Sequence, residues 1–246
     1  MNEARTKTNP KPGAKHRGIR AARKRLIPAL IAVIGYVAFL TLQAAAADPA
    51  TINFSLDFPN SSPEHYSISV ESGGRAHYES SGKITADSDE RDTYQTDFIF
   101  SDMTRARIFD LSSQAHYFSG KIDSGNKKIA FTGAKKLSYK DGQRDTSAAF
   151  NYSTVPAVQQ LTSLFQSVAA TLEYGRRLVY YHRFQKLALD DELKRMEDQA
   201  RRGELIELQA VKPVLQDIYD DTSVMNVVRA RAHRIMEIDP ASVAGK

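Results

Sequence analysis

Two patterns of hydrophobic and polar residues follow one another along this chain of 246 residues, and the change falls near Pro156. Before that point, apolar and polar residues alternate in short runs separated by glycine-containing turns. Such alternation is typical of half-buried antiparallel strands. It predicts six or seven short strands. The candidate strands lie at residues 52–58, 66–70, 76–78, 90–100, 129–131, 137–139 and 148–152.

One predicted helix interrupts these strands. Ser101 or Asp102 can cap its start, and apolar residues between Met103 and Leu111 give it a buried face up to about Ala115. Strands and helices do not alternate regularly along the chain, as they would in a doubly wound parallel sheet. The order of elements therefore predicts an α+β fold, with an antiparallel sheet and one packing helix.

From Pro156 the apolar residues recur every three or four positions, which predicts an all-helical C-terminal extension. The seam includes Leu161, Phe165 and Val179, whereas Gly175 fits it poorly. His182 and Lys186 are also poor seam residues, so we expect either one long kinked helix or two helices with a break near residues 183–188. In the second case, Asp190 or Asp191 could start the second helix. The predicted seam residues are Leu161, Phe165, Val168, Leu172, Val179, Leu189, Leu193, Met196 and Ala200.

Three signals divide the remaining chain. Arg202-Gly203 predicts the end of the second helix, because glycine favours the position just after a helix. Pro213 predicts a new helix at its first turn. Asp221 or Thr222 is the predicted cap of a last helix, whose apolar residues are Val224, Val227, Val228, Ile235 and Ile238.

The chain opens with a basic stretch followed by an apolar one. Residues 1–25 carry nine lysine and arginine residues, and residues 26–47 are mostly apolar. As a helix, residues 26–42 would be about 25 Å long, short of a hydrocarbon core of about 30 Å, whereas residues 26–47 would span it. Ala45 and Ala47 favour cleavage before Asp48. A cleaved signal peptide and a retained apolar helix both stay open.

This leader sets the expected organisation and location of the protein. The predicted segments are the leader at 1–47, an α+β domain at 48–155, the helical extension at 156–240 and a disordered tail at 241–246. We expect an exported protein of the periplasm or cell envelope, or one anchored in the inner membrane with its C-terminal domain outside the cytoplasm. The membrane is then one partner, through the N-terminal apolar helix.

The net charge of +5 belongs to the leader. Of 34 lysine and arginine residues, nine lie in residues 1–47, which contain only one acidic residue, Glu3. The rest of the chain has 25 basic against 28 acidic side chains, so a nucleic-acid partner has no basis in charge. The chain has no cysteine, which excludes disulfides, thiol nucleophiles and thiolate metal sites.

Motifs for catalysis, metals or cofactors are weak. The Ser-x-x-Lys sequences at 80–83 and 124–127 lie in strand-and-turn contexts, whereas a serine of this type acts from a helix start. The acidic stretch 87–92 has an aspartate where a calcium loop needs glycine. The scattered histidines lack a metal-ligand spacing. We therefore predict no catalytic, metal or cofactor-binding residues, and the sequence favours a protein without enzymatic activity.

One cluster, at residues 176–184, combines arginine with aromatic residues. Arginine and tyrosine together can stack on rings and bind phosphate or carboxylate. We expect an envelope protein or an anionic envelope polymer as partner. In the alternative interpretation, the apolar members pack on the sheet and the arginines pair with acidic residues at 190–192. The predicted partner-binding residues are Arg176, Arg177, Tyr180, Tyr181, His182 and Arg183.

A series of short motifs resembles an uncharacterised domain of bacterial envelope proteins. The series comprises the strand at 66–70, Gly74, Tyr78 and a helix that ends in aromatic residues at 116–118. The resemblance covers roughly residues 52–165. The cysteine that often precedes the first tyrosine of such domains is missing here, so no thiol chemistry carries over. The resemblance implies an envelope location and no activity.

These observations predict an exported or membrane-anchored envelope protein, most simply a non-catalytic binding or assembly module. Two alternatives remain. The first is an extracytoplasmic hydrolase whose site is assembled from residues distant in sequence. The second is a structural spacer tethered to the membrane.

Overall fold

The computed structural model describes residues 49–84 and 91–238, which form an antiparallel sheet with helices on one face. The strands are β1 (Thr51–Asp57), β2 (His65–Glu71), β3 (Arg75–Lys83), β4 (Arg91–Ile99), β5 (Ala134–Lys140) and β6 (Asp145–Phe150). They are ordered β4-β3-β2-β1-β5-β6 across the sheet. The α-helices of the described residues are α1 (Asp102–Gln114), α2 (Pro156–Phe184), α3 (Leu189–Arg201), α4 (Lys212–Asp220) and α5 (Asn226–Met236). The predicted α+β class, with an antiparallel sheet and a mostly helical C-terminal part, is confirmed.

Several predictions concern residues outside this range. The leader at 1–47, its apolar helix and the candidate cleavage residues Ala45, Ala47 and Asp48 lie outside the described residues, as does the predicted tail at 241–246. Within the described part of the chain, no helix is both long and apolar enough to cross a bilayer.

The strands form because their side chains alternate between a buried and an open face. In β1, Ile52, Phe54 and Leu56 are buried against the helices. The register continues this buried row into the neighbouring strands, since Phe54 lies opposite Ile68 of β2 and Leu137 of β5. The other face of the sheet carries mainly polar side chains. In the described residues, α2 therefore packs against this buried face, whereas the later helices α3, α4 and α5 pack on α2 and on one another.

The predicted strand at residues 129–131 is wrong. These residues belong to the connection between α1 and β5, and the side chain of Phe131 is 58% exposed. Phe131 instead makes an edge-to-face contact with Phe58, with ring centroids 5.9 Å apart. The apolar run therefore reflects an aromatic contact between two loops, and the sheet has six strands.

The predicted cap of α1 is confirmed at Ser101, whose hydroxyl accepts a hydrogen bond from the Thr104 N–H at 3.3 Å. Glu207, far along the chain, also binds this cap. Its carboxylate accepts bonds from the Ser101 hydroxyl at 2.7 Å and from the Ser101 N–H at 2.8 Å. Ile108 and Leu111 are buried as predicted, but Met103 is exposed because it lies on the outer side of the first turn.

The predicted helical extension supplies a second packing helix for the sheet. In α2, the ring of Phe165 stacks on Phe54 of β1, with centroids 5.2 Å apart. Of the two expected arrangements, the structure has two helices with a break, since α2 ends at Phe184 and a single 3₁₀ turn, Lys186–Ala188, leads into α3. The prediction that Val179 belongs to the buried seam is wrong. Val179 is exposed, because Leu178 occupies the buried position at that level of the helix.

Two of the three predicted boundaries of the later helices are confirmed, and one is wrong. α3 ends at Arg201, just before Gly203, which has a positive φ of 75°. Pro213 lies in the first turn of α4. The last helix does not begin at Asp221 or Thr222 but at Asn226. Asp221 is engaged elsewhere, because its carboxylate binds Lys186 at 2.6 Å and His182 at 2.9 Å.

Gly175 has a packing role in the middle of α2. A methyl group at this position would lie 2.6 Å from Cγ1 of Val211, in the 3₁₀ turn Leu208–Val211. Alanine normally improves a helix interior by up to about 1 kcal/mol over glycine. Here the overlap with a stiff β-branched side chain outweighs that gain. The glycine therefore lets this turn pack closely on α2.

We predict that Gly175→Ala lowers the free energy of unfolding by about 1–2 kcal/mol, as an overpacked core does. Urea denaturation of the single variants and of Gly175→Ala/Val211→Ala would check this. In the double variant the two changes should cost less than their sum, because the shorter side chain at 211 makes room. A stabilised Gly175→Ala protein would show that the close contact is not limiting.

Candidate binding site

Two adjoining cavities form a groove along one flank of α2. They share Thr132 and Gln166 in their linings and have volumes of about 500 and 470 Å³. The first cavity lies beside the beginning of α2, and the second follows the helix to Arg177. The opposite wall comes from the loop after β1, at residues 58–63, and from the residues that lead into β5. We call the first the Lys135 cavity, after the lysine in its lining, and the two together the α2 groove.

The groove follows a polar stripe on α2. Gln159, Ser163, Gln166 and Glu173 lie three, four or seven positions apart and therefore share one side of the helix. The apolar seam of Leu161 and its successors faces the sheet instead. Ser163 and Gln166 have side chains without a hydrogen bond in the described part of the protein, so both can bind a ligand.

Lys135 lies in the wall of the first cavity, and only 5% of it is exposed. Its ammonium group donates to the backbone oxygens of Thr132 and Asn151, each at 3.0 Å, and of Gly133 at 3.3 Å. It also donates to the Thr132 hydroxyl at 3.0 Å. Burial lowers the pKa of Lys135 because it penalises the charged form. No carboxylate pairs with this ammonium among the described residues, so its hydrogen-bond partners there are all neutral oxygens.

Amide side chains order the wall around Lys135. The Asn151 carbonyl accepts from the Thr132 N–H at 2.9 Å, and its amide donates to the backbone oxygen of Ala130 at 3.1 Å. On the helix side, the Gln159 amide donates to the Tyr152 hydroxyl at 2.9 Å and to the Ser153 backbone oxygen at 2.8 Å. These bonds fix the groups that line the cavity before any ligand arrives.

A buried polar centre lies at the far end of the groove. The Glu173 carboxylate accepts from the Tyr78 hydroxyl at 2.8 Å, the Ser80 hydroxyl at 2.6 Å and the Arg176 guanidinium at 3.4 Å. Burial, with the nearby negative charge of Glu173, raises the pKa of Tyr78 well above its ordinary value. This centre joins β3 to α2.

The predicted arginine and tyrosine cluster is divided among several faces, because successive helical residues point in different directions. Arg176 is 4% exposed and points to Glu173. Arg177 binds Glu192 at 2.6 Å and lies over the Tyr174 ring, and it lines the second cavity. The alternative interpretation, in which arginines of the cluster pair with acidic residues at 190–192, describes the contact of Arg177 but not that of Arg176.

The remaining members of the predicted cluster lie near the end of α2. The Tyr180 ring contacts those of Tyr181 and Phe184, with centroids 5.8 and 5.3 Å apart. The Arg183 guanidinium lies over the ring of Phe184. His182 turns away and binds Asp221. The structure therefore brings together three aromatic side chains and one arginine, while Arg176 and Arg177 lie elsewhere.

A third cavity, of about 480 Å³, lies on the open face of the sheet. Ser69, His77 and Asp97 stand side by side across β2, β3 and β4, and His77 Nδ1 lies 2.7 Å from the Asp97 carboxylate. The order resembles a serine–histidine–aspartate arrangement. However, Asp97 is 87% exposed, whereas the acid of such a triad is buried, and no hydrogen bond joins Ser69 to His77 among the described residues. Ser69, His77 and Asp97 therefore do not have the geometry of a serine–histidine–aspartate triad.

No protein-family model and no curated protein matches this chain. The resemblance to an envelope domain over residues 52–165 therefore stays an expectation. Within the described residues, no group of three or more histidine, aspartate or glutamate side chains is placed to hold a metal ion.

Sequence reasoning missed the Lys135 cavity. Lys135 occupies a buried position of β5 where the alternation calls for an apolar residue, and that interruption is the one signal available. The sequence pattern does indicate a polar stripe on α2, formed by Gln159, Ser163 and Gln166. However, a polar stripe on a helix normally faces solvent. Only the fold shows that loops of the sheet stand opposite these residues.

Proposed function

We propose that this protein is a non-catalytic binding module of the cell envelope that holds a segment of an anionic polymer in the α2 groove. The observation that carries this proposal is the buried ammonium of Lys135, which has oxygen partners but no carboxylate among the described residues. A ligand carboxylate or phosphate in the cavity would balance this charge by electrostatic attraction, without replacing those hydrogen bonds.

The lining of the Lys135 cavity supports an anionic ligand. It consists of hydroxyl and amide side chains, aromatic rings and one ammonium, and contains no acidic side chain. Attraction between charges is stronger in a partly enclosed site than in bulk water. The first turn of α2 lies next to this cavity and has no side-chain cap. The positive end of the helix dipole therefore also favours an anion there.

The shape of the groove supports a polymer rather than a small molecule. The two cavities follow each other along α2 and share two lining residues, so an extended chain can occupy both. Arg177 in the second cavity provides a further cation, although Glu192 already neutralises it in part. Hydroxyl and amide side chains in the lining of the groove can form hydrogen bonds with the hydroxyl groups of a glycan.

The compartment is part of the same proposal. The basic residues 1–25 and the apolar residues 26–47 favour export or anchoring in the inner membrane, with the groove outside the cytoplasm. The membrane is then a partner through the apolar helix. Outside the cytoplasm, acidic polymers are the abundant anions that an elongated groove can take.

A titration of the full chain with polygalacturonate, a carboxylate-bearing glycan, tests the proposal, with uncharged dextran as the comparison polymer. Lys135→Met should weaken binding about tenfold, equivalent to about 1.4 kcal/mol, because it removes the buried cation. Lys136→Met is the matched control, since this neighbouring lysine points to the exposed face of β5. It should leave the affinity unchanged.

A second variant separates binding from folding. Gln166 is exposed and makes no hydrogen bond with the described residues, so Gln166→Glu should fold normally and should weaken polygalacturonate binding by charge repulsion. The proposal fails if polygalacturonate binds no better than dextran. It also fails if Lys135→Met and Lys136→Met reduce the affinity equally.

A further inference from the structure

In the part of the chain that the structure describes, the outer edge of β4 has no strand beside it. β4 is the terminal strand of the sheet and pairs only with β3 among the described strands. Its nine residues keep a continuous register with β3, from Arg91 opposite Lys83 to Ile99 opposite Arg75, with no bulge. It contains no proline or lysine, and its middle, residues 93–96, is uncharged. Edge strands of monomeric proteins usually carry a bulge, a proline or central charged residues, which prevent pairing with another strand. β4 lacks these features.

The other edge of the sheet is protected. β6 has only six residues, and the segment that follows α1 lies along it. The Thr146 hydroxyl donates to the backbone oxygen of Tyr117 in this segment. The Asp123 carboxylate accepts from the Asn151 N–H at 2.8 Å, just beyond the strand. Within residues 49–84 and 91–238, the two edges of the sheet therefore differ, and β4 has the longer unpaired backbone edge.

The direction of the backbone groups along β4 follows from a hydrogen bond just beyond its end. The Phe100 N–H donates to the Gly74 oxygen, on the β3 side, at 2.9 Å. The Thr93 N–H donates to the Asp92 carboxylate at 2.8 Å, and pairing with another strand would exchange this bond for one across the new interface. Because backbone groups alternate along a strand, the odd-numbered residues direct their N–H and C=O groups away from the sheet. Their side chains lie on the open face.

We propose that β4 pairs antiparallel with β4 of a second copy of this chain, about a two-fold axis at Tyr94. In this register Arg91 lies opposite the second copy's Asp97, and Thr93 lies opposite its Gln95. Each odd-numbered residue then meets another odd-numbered residue, as hydrogen-bonded pairing requires. The two six-stranded sheets become one continuous sheet.

Charge complementarity selects this register. A two-fold axis at Gln95 would also pair odd-numbered residues, but it would place Arg91 opposite Ile99 and leave the charges unmatched. With the axis at Tyr94, two arginine–aspartate pairs form. Within each chain Arg91 already binds Glu64 at 2.5 Å, and Asp97 already binds His77 at 2.7 Å. The pairing therefore joins these groups into a row of alternating charges across the new interface.

Single cysteines test the register directly, because the chain has none of its own. Tyr94 meets itself across the axis in a pair that is not hydrogen-bonded, where Cα atoms lie about 4.5 Å apart. That spacing permits a disulfide. The full chain carrying Tyr94→Cys should give a disulfide-linked dimer under mild oxidation. Ser147→Cys, on the exposed face of the protected strand β6, is the control and should stay monomeric.

A second pair of variants covers the case in which loss of the Tyr94 ring disturbs the fold. Chains with Thr93→Cys and chains with Gln95→Cys should crosslink when mixed, since these positions lie opposite each other. Neither variant alone should do so. The proposal is overturned if the Tyr94→Cys variant and the Thr93→Cys/Gln95→Cys mixture crosslink no more than Ser147→Cys.

Charge reversal in the Tyr94→Cys chain provides the specificity control. Asp97→Arg places arginine opposite Arg91 of the second copy and should abolish the dimer band. Adding Arg91→Asp to the same chain should restore it. The proposed register is contradicted if the dimer band persists with Asp97→Arg. It is also contradicted if adding Arg91→Asp does not restore the band.

Discussion

Replacing Glu173 with alanine is expected to lower the free energy of unfolding by about 3–5 kcal/mol, the cost of breaking a buried ion pair from one side. The carboxylate is the acceptor for Tyr78, Ser80 and Arg176. Without it, the 4% exposed guanidinium of Arg176 is a buried cation, and only the more distant Asp92, at 3.8 Å, is left near it among the described residues. Urea denaturation followed by circular dichroism would measure the loss.

Two control variants separate charge from hydrogen bonding at this centre. Glu173→Gln keeps an oxygen acceptor for the hydroxyls and should cost less than Glu173→Ala. Glu173→Leu/Arg176→Leu removes both charges and should recover much of the stability, as hydrophobic replacement of buried pairs often does. If Glu173→Ala costs less than about 1 kcal/mol, the centre does not stabilise the contact between β3 and α2.

Replacing Glu197 with glutamine is expected to cost about 2 kcal/mol at neutral pH, through lost charged hydrogen bonds. Arg234 binds this carboxylate at 3.0 Å, Arg201 at 2.8 Å and Arg231 at 3.1 Å, so it joins α3 to α5. These bonds, that of Arg234 first, lower the pKa of Glu197 from 4.5 to about 2. The charged carboxylate thus links the C-terminal helices α3 and α5 through its bonds to three arginines.

The pH dependence follows from that lowered pKa. Because the folded pKa lies below the unfolded one, the stabilisation is complete above about pH 4.5 and is lost as the pH falls towards 2. The difference in unfolding free energy between the native protein and Glu197→Gln should therefore shrink over this interval. Urea midpoints at pH 7, 4 and 2.5 would measure it. A difference that stays constant with pH would show that Glu197 is not the titrating group.

The strands were predictable because the sheet buries only one face, which imposes a period of two on the sequence. The same reasoning failed at residues 129–131, where Phe131 meets Phe58 across two loops. A short apolar run cannot by itself distinguish a strand from such a contact. The helical period predicted α2 and left open whether it would kink or break near residues 183–188. It did not predict that Phe165 packs on the sheet, because periodicity identifies a buried face and not its neighbour.

The candidate site was much less predictable, because its residues meet only through long-range contacts. Glu173 joins Tyr78 and Ser80, which lie more than ninety positions earlier in the chain. In the arginine and tyrosine cluster, sequence proximity was misleading, since Arg176 is buried and Arg177 pairs with Glu192. Residue types indicate what a side chain can bind. They do not indicate which side of a helix faces a groove.

Hydrogen–deuterium exchange of the full chain, with and without saturating polygalacturonate, tests the central claim most directly. We expect slower exchange at residues 130–135 and 151–166, which wall the Lys135 cavity, and no change at residues 180–188 near the end of α2. Protection confined to residues 180–188, or no protection at residues 130–135 and 151–166, would contradict binding in the α2 groove.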